Sequence, residues 1–158
     1  MKSLVLVLLL CLCVCGGHAM IIEAGLDELV QGADLIVVAD VEGVKTVGQL
    51  ESGVTVIANL VKVDEPLKGQ AAVGEKLKIK TYGMIEDNAE LVEGGKVLLF
   101  LKKVDDHYQV HLGIQGCWPI DSQTGKLTGM GDGKTLEDVK DSIKRPPTPK
   151  TVVEPVSL

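Results

Sequence analysis

The sequence predicts an all-β fold, a five-stranded antiparallel barrel with small peripheral helices. Residues 54–64 and 75–82 each alternate apolar and polar side chains, and Pro66, Gly69 and Gly74 separate them, as in two strands joined by a turn. The first segment is also long for one strand, and long, bent strands are what closes a small barrel. Strands are therefore expected at 34–47, 54–64, 75–82, 96–103 and 107–115.

The long strand changes phase within its own length. Ala58 and Leu60 share one face of an extended chain, whereas Val61 and Val63 share the other. A strand has a period of two residues, so no single register buries both sets. A β-bulge near residues 59–61 would resolve the conflict, and a strand buried on both faces is the alternative.

The N-terminus has the pattern of a signal peptide. Lys2 supplies the positive start, residues 4–14 form an unbroken apolar run, and residues 17–19 give a small-x-small cleavage site. The run is short for a bilayer span. We expect export, to a secreted, periplasmic or cell-envelope location, with no membrane span. A lipid anchor on Cys15 is the alternative, although Val14 stands where a lipid-attachment motif has a small residue.

Two helices are expected beside the strands. A short apolar stripe precedes the first strand, and a capping box beginning at Thr135 starts a second helix. Trp118 to Ile120 and Leu127 flank a polar turn, which indicates a small terminal hairpin. The expected division is a signal peptide 1–19, a short N-terminal helix segment 20–33, a β-barrel domain 34–128, a loop and C-terminal helix 129–145, and a disordered Pro-rich tail 146–158.

Residues 83–95 form the one long connection within the predicted core. A single helical turn is expected around residues 87–92. Long loops inside compact domains are often functional, but we favour a plain surface connection whose apolar groups plug the barrel end. The candidate interaction residues are Tyr82, Met84 and Ile85 at this loop and Trp118 after the last strand.

No catalytic, cofactor or metal site is predicted. The glycine-rich residues 129–135 miss the phosphate-loop spacing by one position. His107 and His111 would be exposed on one strand face, about 13 Å apart at about 3.3 Å per residue, so they could not share a metal ion. Cys117 beside Trp118 could act as a nucleophile with a histidine, but a lone cysteine beside a tryptophan is more often a small buried hydrophobe.

The composition argues against nucleic-acid binding. The chain has a net charge of −6 and contains one Phe, one Trp and two Tyr. Nucleic acids require basic surface and stacking rings. The scarcity of aromatic residues also weakens a sugar-binding interpretation.

The order of strands and turns resembles a known group. The segments that match are Val63-Asp-Glu-Pro-Leu-Lys-Gly69, Gly74-Glu-Lys-Leu-Lys-Ile79 and Glu93-Gly-Gly-Lys-Val-Leu-Leu-Phe-Leu101. Over roughly residues 33–115, they are similar to small exported prokaryotic proteins with an OB-like barrel, of the netrin-like or TIMP-like (metalloproteinase-inhibitor-like) group. The resemblance implies a five-stranded barrel used for binding. The inhibitors of that group use an N-terminal cysteine wedge and several disulfides, and only Cys117 follows the predicted leader here, so their inhibitory mechanism is not implied.

We therefore expect a non-catalytic binding or interaction module, with an extracytoplasmic protein as its partner and no cofactor. An extracytoplasmic enzyme with an unrecognised site is the alternative. Clustering of Cys117, His107 or His111 with carboxylates in a pocket would favour the enzyme. An exposed apolar patch beside residues 83–95 would favour the binding module.

Overall fold

The computed structural model describes residues 23–147. The predicted signal peptide lies outside them, as does the predicted tail beyond Pro147. The α-helices and strands in chain order are helix α1 (Leu26–Gly32), strands β1 (Leu35–Gln49), β2 (Thr55–Lys68), β3 (Lys76–Tyr82), β4 (Lys96–Val104), β5 (His107–Val110) and β6 (Cys117–Ile120), and helix α2 (Leu136–Lys144). Short 3-10 helices cover Gly113–Gly116, between β5 and β6, and Gly129–Gly131, before α2. The expectation of a mainly β fold with small peripheral helices is confirmed. Among the described residues, no helix is long and apolar enough to cross a membrane.

The strands form one sheet whose first five members close into a ring. The order is β1-β2-β3-β5-β4-β6, and β1 also pairs with β4, from Leu35 opposite Leu101 to Asp40 opposite Lys96. All pairs are antiparallel except β3 with β5, which run parallel. The prediction of a wholly antiparallel arrangement is therefore wrong at this pair. Directions can alternate throughout a closed ring only if the number of strands is even, so a ring of five needs one parallel pair.

The bulge predicted near residues 59–61 is carried by the partner strand. β2 stays in register with β3 from Val56 to Lys62 and has no extra residue there, but β1 has one, Glu42, opposite Leu60 and Val61. The register between β1 and β2 shifts where Glu42 and Val47 are added to β1, and again near the end of β2. Each extra residue bends its strand and increases its twist, which lets β1 reach β2 on one side and β4 on the other.

A buried asparagine explains the misleading phase of β2. Asn59 points into the ring, where its Nδ2 donates to the carbonyl oxygen of Ile79 at 3.2 Å and to Oγ1 of Thr81 at 3.0 Å. Val61 and Val63 continue the same inward face. A polar residue thus occupies an interior position, where its Nδ2 donates two hydrogen bonds and its buried Oδ1 has no partner among the described residues.

The apolar side chains form two cores on opposite faces of β1 and β4. The ring interior holds one set, which includes Leu35, Val37, Leu99 and Cys117. The other set packs between the outer face of the sheet and the two helices, and it contains Ile36, Val38, Leu98, Phe100 and Trp118. Residues 35–39 of β1 and 97–101 of β4 are buried on both faces, which accounts for the unbroken apolar sequence of these two segments.

The two helices are fixed by polar contacts at their ends. Nζ of Lys68 donates to the carbonyl oxygens of Val30 and Ala33 at 2.7 and 2.6 Å, at the C-terminal end of α1. A cation there satisfies carbonyls left open by the helix and complements its dipole. The capping box of Thr135 and Asp138 at the start of α2 is confirmed. Asp27 of α1 accepts hydrogen bonds from Ser142 and Arg145, which joins the two helices.

Candidate binding cleft

An open cleft of about 270 Å³ lies between the ends of β1, β2 and β3 and the loop of residues 83–95. Thr81 and Ile57 reach it from the inward face of the hairpin, and Val44 reaches it from β1. The remaining wall belongs to the segment that follows β3. The residues that line the cleft are Val44, Ile57, Thr81, Tyr82, Gly83, Met84, Ile85, Asn88, Ala89, Glu90 and Leu91.

Backbone and side-chain hydrogen bonds hold this loop in place. The N–H of Gly83 donates to the carbonyl oxygen of Thr55 at 2.8 Å, which anchors the start of the loop to the first residue of β2. The Asn88 amide donates to the carbonyl oxygen of Tyr82. The N–H of Ile114 donates to the carbonyl oxygen of Asp87 at 2.9 Å and ties the loop to the turn after β5.

The second half of the loop closes the ring interior. Ala89 and Leu91 are buried in the interior core, two residues apart as in an extended chain. The helical turn expected at residues 87–92 is therefore wrong, because a helix would not direct both side chains into the ring. The expected plugging by apolar loop residues is observed at these two positions.

The first half of the loop projects apolar side chains into solvent. Met84 is 88% exposed and Ile85 is 48% exposed, and both line the cleft. Met84 has a positive φ of 64°, in the left-handed region that non-glycine residues seldom adopt. Val92 and Val44 add further exposed apolar surface on this loop and at the cleft wall. The apolar patch that would favour a binding module is thus present beside residues 83–95.

Three of the four candidate interaction residues meet at this cleft. Tyr82, Met84 and Ile85 all line it. Trp118 does not, because it is 1% exposed and packs beneath the helices with its ring edge-to-face on Phe100, centroids 4.9 Å apart. Its Nε1 donates to a backbone carbonyl at 2.7 Å, so its polar group is also satisfied inside the fold.

Sequence reasoning missed the cleft residues contributed by the hairpin. Val44 and Ile57 come from β1 and β2, and Asn88 lies within the loop. Val44 lies two residues after the extra residue Glu42 in β1, and the resulting register decides which face Val44 occupies. No local signal in the sequence marks that register.

The two histidines occupy different environments, neither of them a shared exposed strand face. The side chain of His107 is 14% exposed, and its Nδ1 lies 3.1 Å from a carboxylate oxygen of Asp106. His111 follows the end of β5 and packs against Gly32 of α1, where any added side chain would collide with its ring. Burial is the main cause that lowers the pKa of His111. The predicted shared face fails because His111 lies beyond the end of β5 and packs against α1, and because most of the His107 side chain is buried.

Cys117 lies in the ring interior, on the opposite face of β6 from Trp118. Burial raises the pKa of its thiol to about 12. The thiol is therefore protonated at neutral pH, as expected of a small buried hydrophobe.

Within residues 23–147, no group of three or more His, Cys, Asp or Glu side chains is placed to hold a metal ion. No protein-family model matches the chain, and no curated protein matches it.

Proposed function

We propose that the chain is an exported, non-catalytic binding module that holds an apolar segment of an extracytoplasmic protein in the cleft beside residues 83–95. We further propose that its ring of strands is an OB-like barrel of the netrin-like or TIMP-like kind. The ring order β1-β2-β3-β5-β4, closed by β1 against β4, supports this, since an OB-fold is a five-stranded, partly open barrel.

The exposure of Met84 is the observation on which this function rests. A left-handed conformation at a residue other than glycine, asparagine or aspartate costs about 1–2 kcal/mol. Strain of this kind persists only where the surrounding structure fixes it, and it gathers at ligand-binding sites. Here the bonds of Gly83 and Asn88 on either side fix the turn, and the result is a long apolar side chain held in water. Methionine adapts its shape to a partner better than other apolar residues do.

The placement of the reactive side chains also supports binding over catalysis. Cys117 is protonated inside the ring, His107 lies against Asp106, and His111 packs on Gly32. These groups lie in different parts of the fold, whereas a nucleophile and its base must lie within hydrogen-bond reach of each other.

The cleft is tested by substitution of its exposed apolar group against a matched control. The full chain and its Met84→Asp and Val73→Asp variants are immobilised and exposed to the envelope or medium fraction of the source cells. Val73 is the control because it is 71% exposed and lies in the β2–β3 connection, away from the cleft. We expect one retained protein to be held by the wild type and by Val73→Asp but lost by Met84→Asp. Purification of that protein then allows a titration, in which Met84→Asp should weaken binding at least about tenfold, as loss of a central apolar contact does.

Equal retention by all three proteins would contradict the cleft as the binding site. Both substitutions are at exposed positions, so their unfolding midpoints should stay close to that of the wild type. A large drop in the midpoint for Met84→Asp alone would show that the residue supports the fold instead.

Export is tested separately from binding. Mass spectrometry of the protein recovered outside the cytoplasm should give an N-terminus at or next to Met20, as the small-x-small pattern before it requires. A lipid-modified N-terminus at Cys15 would replace the secreted module with a membrane-anchored one.

A further inference from the structure

The outer face of the β1–β2–β3 sheet concentrates basic side chains. On β3, Leu77 and Ile79 are buried in the ring, so Lys76, Lys78 and Lys80 stand on the outer face. This is the face that points away from the interior core, and no helix of the described chain packs against β3.

Neighbouring strands extend the same basic surface. Lys62 of β2 lies opposite Lys76 of β3, and Ala58 of β2 lies opposite Lys80. On the other side, Lys45 of β1 lies opposite Ala58. Residues paired across a sheet share a face. We call this set the lysine face, and its members are Lys45, Lys62, Lys76, Lys78 and Lys80.

Four of these lysines have no partner among the described residues, although most other basic side chains there do. Ion pairs engage Lys76, Lys96, Lys102, Lys140, Lys144 and Arg145. Lys68 donates to carbonyl oxygens at the end of α1, and Lys103 and Lys134 lie over aromatic rings. Within residues 23–147, the basic side chains left without such a partner are Lys126, in the turn after β6, and Lys45, Lys62, Lys78 and Lys80.

This grouping is unusual in a chain with a net charge of −6. Carboxylates outnumber basic groups, yet four lysines of this face form no ion pair with another described residue. Carboxylates border the face: Glu42 pairs with Lys76 at 2.7 Å, and Glu93 accepts a hydrogen bond from the N–H of Val44. Asp40 lies opposite Lys62 in the β1–β2 pairing, but its carboxylate and that of Asp64 bind Lys96. A concentrated unpaired charge attracts partners of opposite sign.

The shape of the face favours an extended chain as its ligand. Alternate residues on β3 are about 6.7 Å apart, which is also the spacing of alternate side chains in an extended peptide. Ala58 and Leu60 form an apolar strip beside the lysines. A shallow depression of about 540 Å³ runs along Gly43, Leu60 and Lys78. A peptide with acidic residues at every second position could place its carboxylates on the lysines and its backbone over this apolar strip.

Nucleic acid fits this face less well than a peptide does. Single strands are held by stacking on aromatic rings as well as by charge. Phe100 and Trp118 are buried beneath the helices and Tyr108 packs against the interior core, which leaves Tyr82 as the one ring on the outer face. We propose that the lysine face binds an extended acidic peptide segment of a protein partner, at a site on the outer face of the sheet that adjoins the cleft at Val44 and Tyr82.

The proposal is tested with a labelled peptide of ten alternating glutamate and threonine residues, and its fluorescence anisotropy reports binding to the full chain. Lys78→Gln/Lys80→Gln should weaken binding at least about tenfold at low salt, because it removes two of the charges that face the peptide. Lys126→Gln/Lys144→Gln removes the same net charge from other surfaces and should change affinity less than about twofold. Raising the salt concentration from about 50 to 300 mM should weaken binding by the wild type severalfold, since exposed charges are screened.

Three outcomes would overturn the proposal. These are no binding by the wild type at low salt, equal weakening by the two double variants, and tighter binding of a ten-nucleotide oligothymidylate or a sulfated oligosaccharide of similar length than of the peptide. Met84→Asp should bind the acidic peptide like the wild type, so failure of the cleft proposal and failure of this one give different results.

Discussion

Replacement of Trp118 by alanine is expected to remove a large part of the stability of the fold. The indole is 1% exposed and lies between the sheet and both helices. Loss of a buried aromatic side chain of this size costs about 3–5 kcal/mol through lost burial and the cavity left behind. The edge-to-face contact with Phe100 and the hydrogen bond from Nε1 are lost as well. Because both contacts are lost, we expect a cost in the upper part of that range. The free energy of unfolding of a typical domain is about 5–15 kcal/mol, so this cost is a large share of it.

A phenylalanine variant separates the contributions of ring and hydrogen bond. Trp118→Phe keeps an apolar ring near Phe100 but removes the donor that Nε1 supplies, so it should cost about 1–3 kcal/mol. Urea unfolding followed by far-UV circular dichroism measures both variants, because Trp118 is the only tryptophan and its fluorescence disappears with it. A loss below about 1.5 kcal/mol for Trp118→Ala would refute the burial argument. A stable Trp118→Ala protein that no longer captured a partner would make this residue a binding contact.

Two further predictions concern pH. Burial raises the pKa of Cys117 to about 12 from an ordinary 9.0, so the folded state favours the neutral thiol. The stabilisation that this neutral thiol gives is complete below pH 9 and is lost as the pH rises toward 12. Cys117→Ala should therefore lose less stability than the wild type over that interval, and native Cys117 should react with thiol reagents only as fast as the protein unfolds; rapid labelling near neutral pH would contradict this. Burial lowers the pKa of His111 below 6.5, so the folded state favours the neutral ring. The stabilisation that the neutral ring gives is present above pH 6.5 and is lost as the pH falls through the lowered pKa. His111→Gln should lose less stability than the wild type on acidification, and identical acid curves in urea titrations would contradict that assignment.

The elements of this fold were predictable where the pattern is local. Alternation along β3 and the unbroken apolar run of β4 each indicate a strand within a few residues of its observed bounds. The capping box at Thr135 likewise marks the start of α2. Each of these signals depends on neighbours a few residues away, and the surrounding structure did not override them.

The features that were mispredicted depend on distant parts of the chain. Asn59 has the polarity of an outward residue, but partners on β3 let it point inward, so the sequence pattern alone predicts the wrong phase for β2. The alternation around His107 predicts an exposed side chain, because no neighbour in sequence shows that β5 lies between β3 and β4. The parallel pair follows from closure of the ring, which is a property of all five strands together.

The cleft shows the same division. Tyr82, Met84 and Ile85 were recognisable as apolar residues at a long loop, and they do converge. The wall opposite them belongs to β1 and β2, and its composition depends on where extra residues enter β1. Sequence alone therefore located one side of the cleft.

The pairing of β1 on both edges has a consequence for biosynthesis. β2 can join one edge as soon as the first hairpin forms, but the other edge waits for β4, which lies much further along the chain. A chain that emerges N-terminus first exposes the apolar segment 35–39 with one edge unpaired throughout that delay. Long-range pairing of this kind is slow and leaves the partly formed sheet open to association with other chains. The amount of native protein that a cell obtains should then depend on how quickly β4 arrives as well as on how stable the finished ring is.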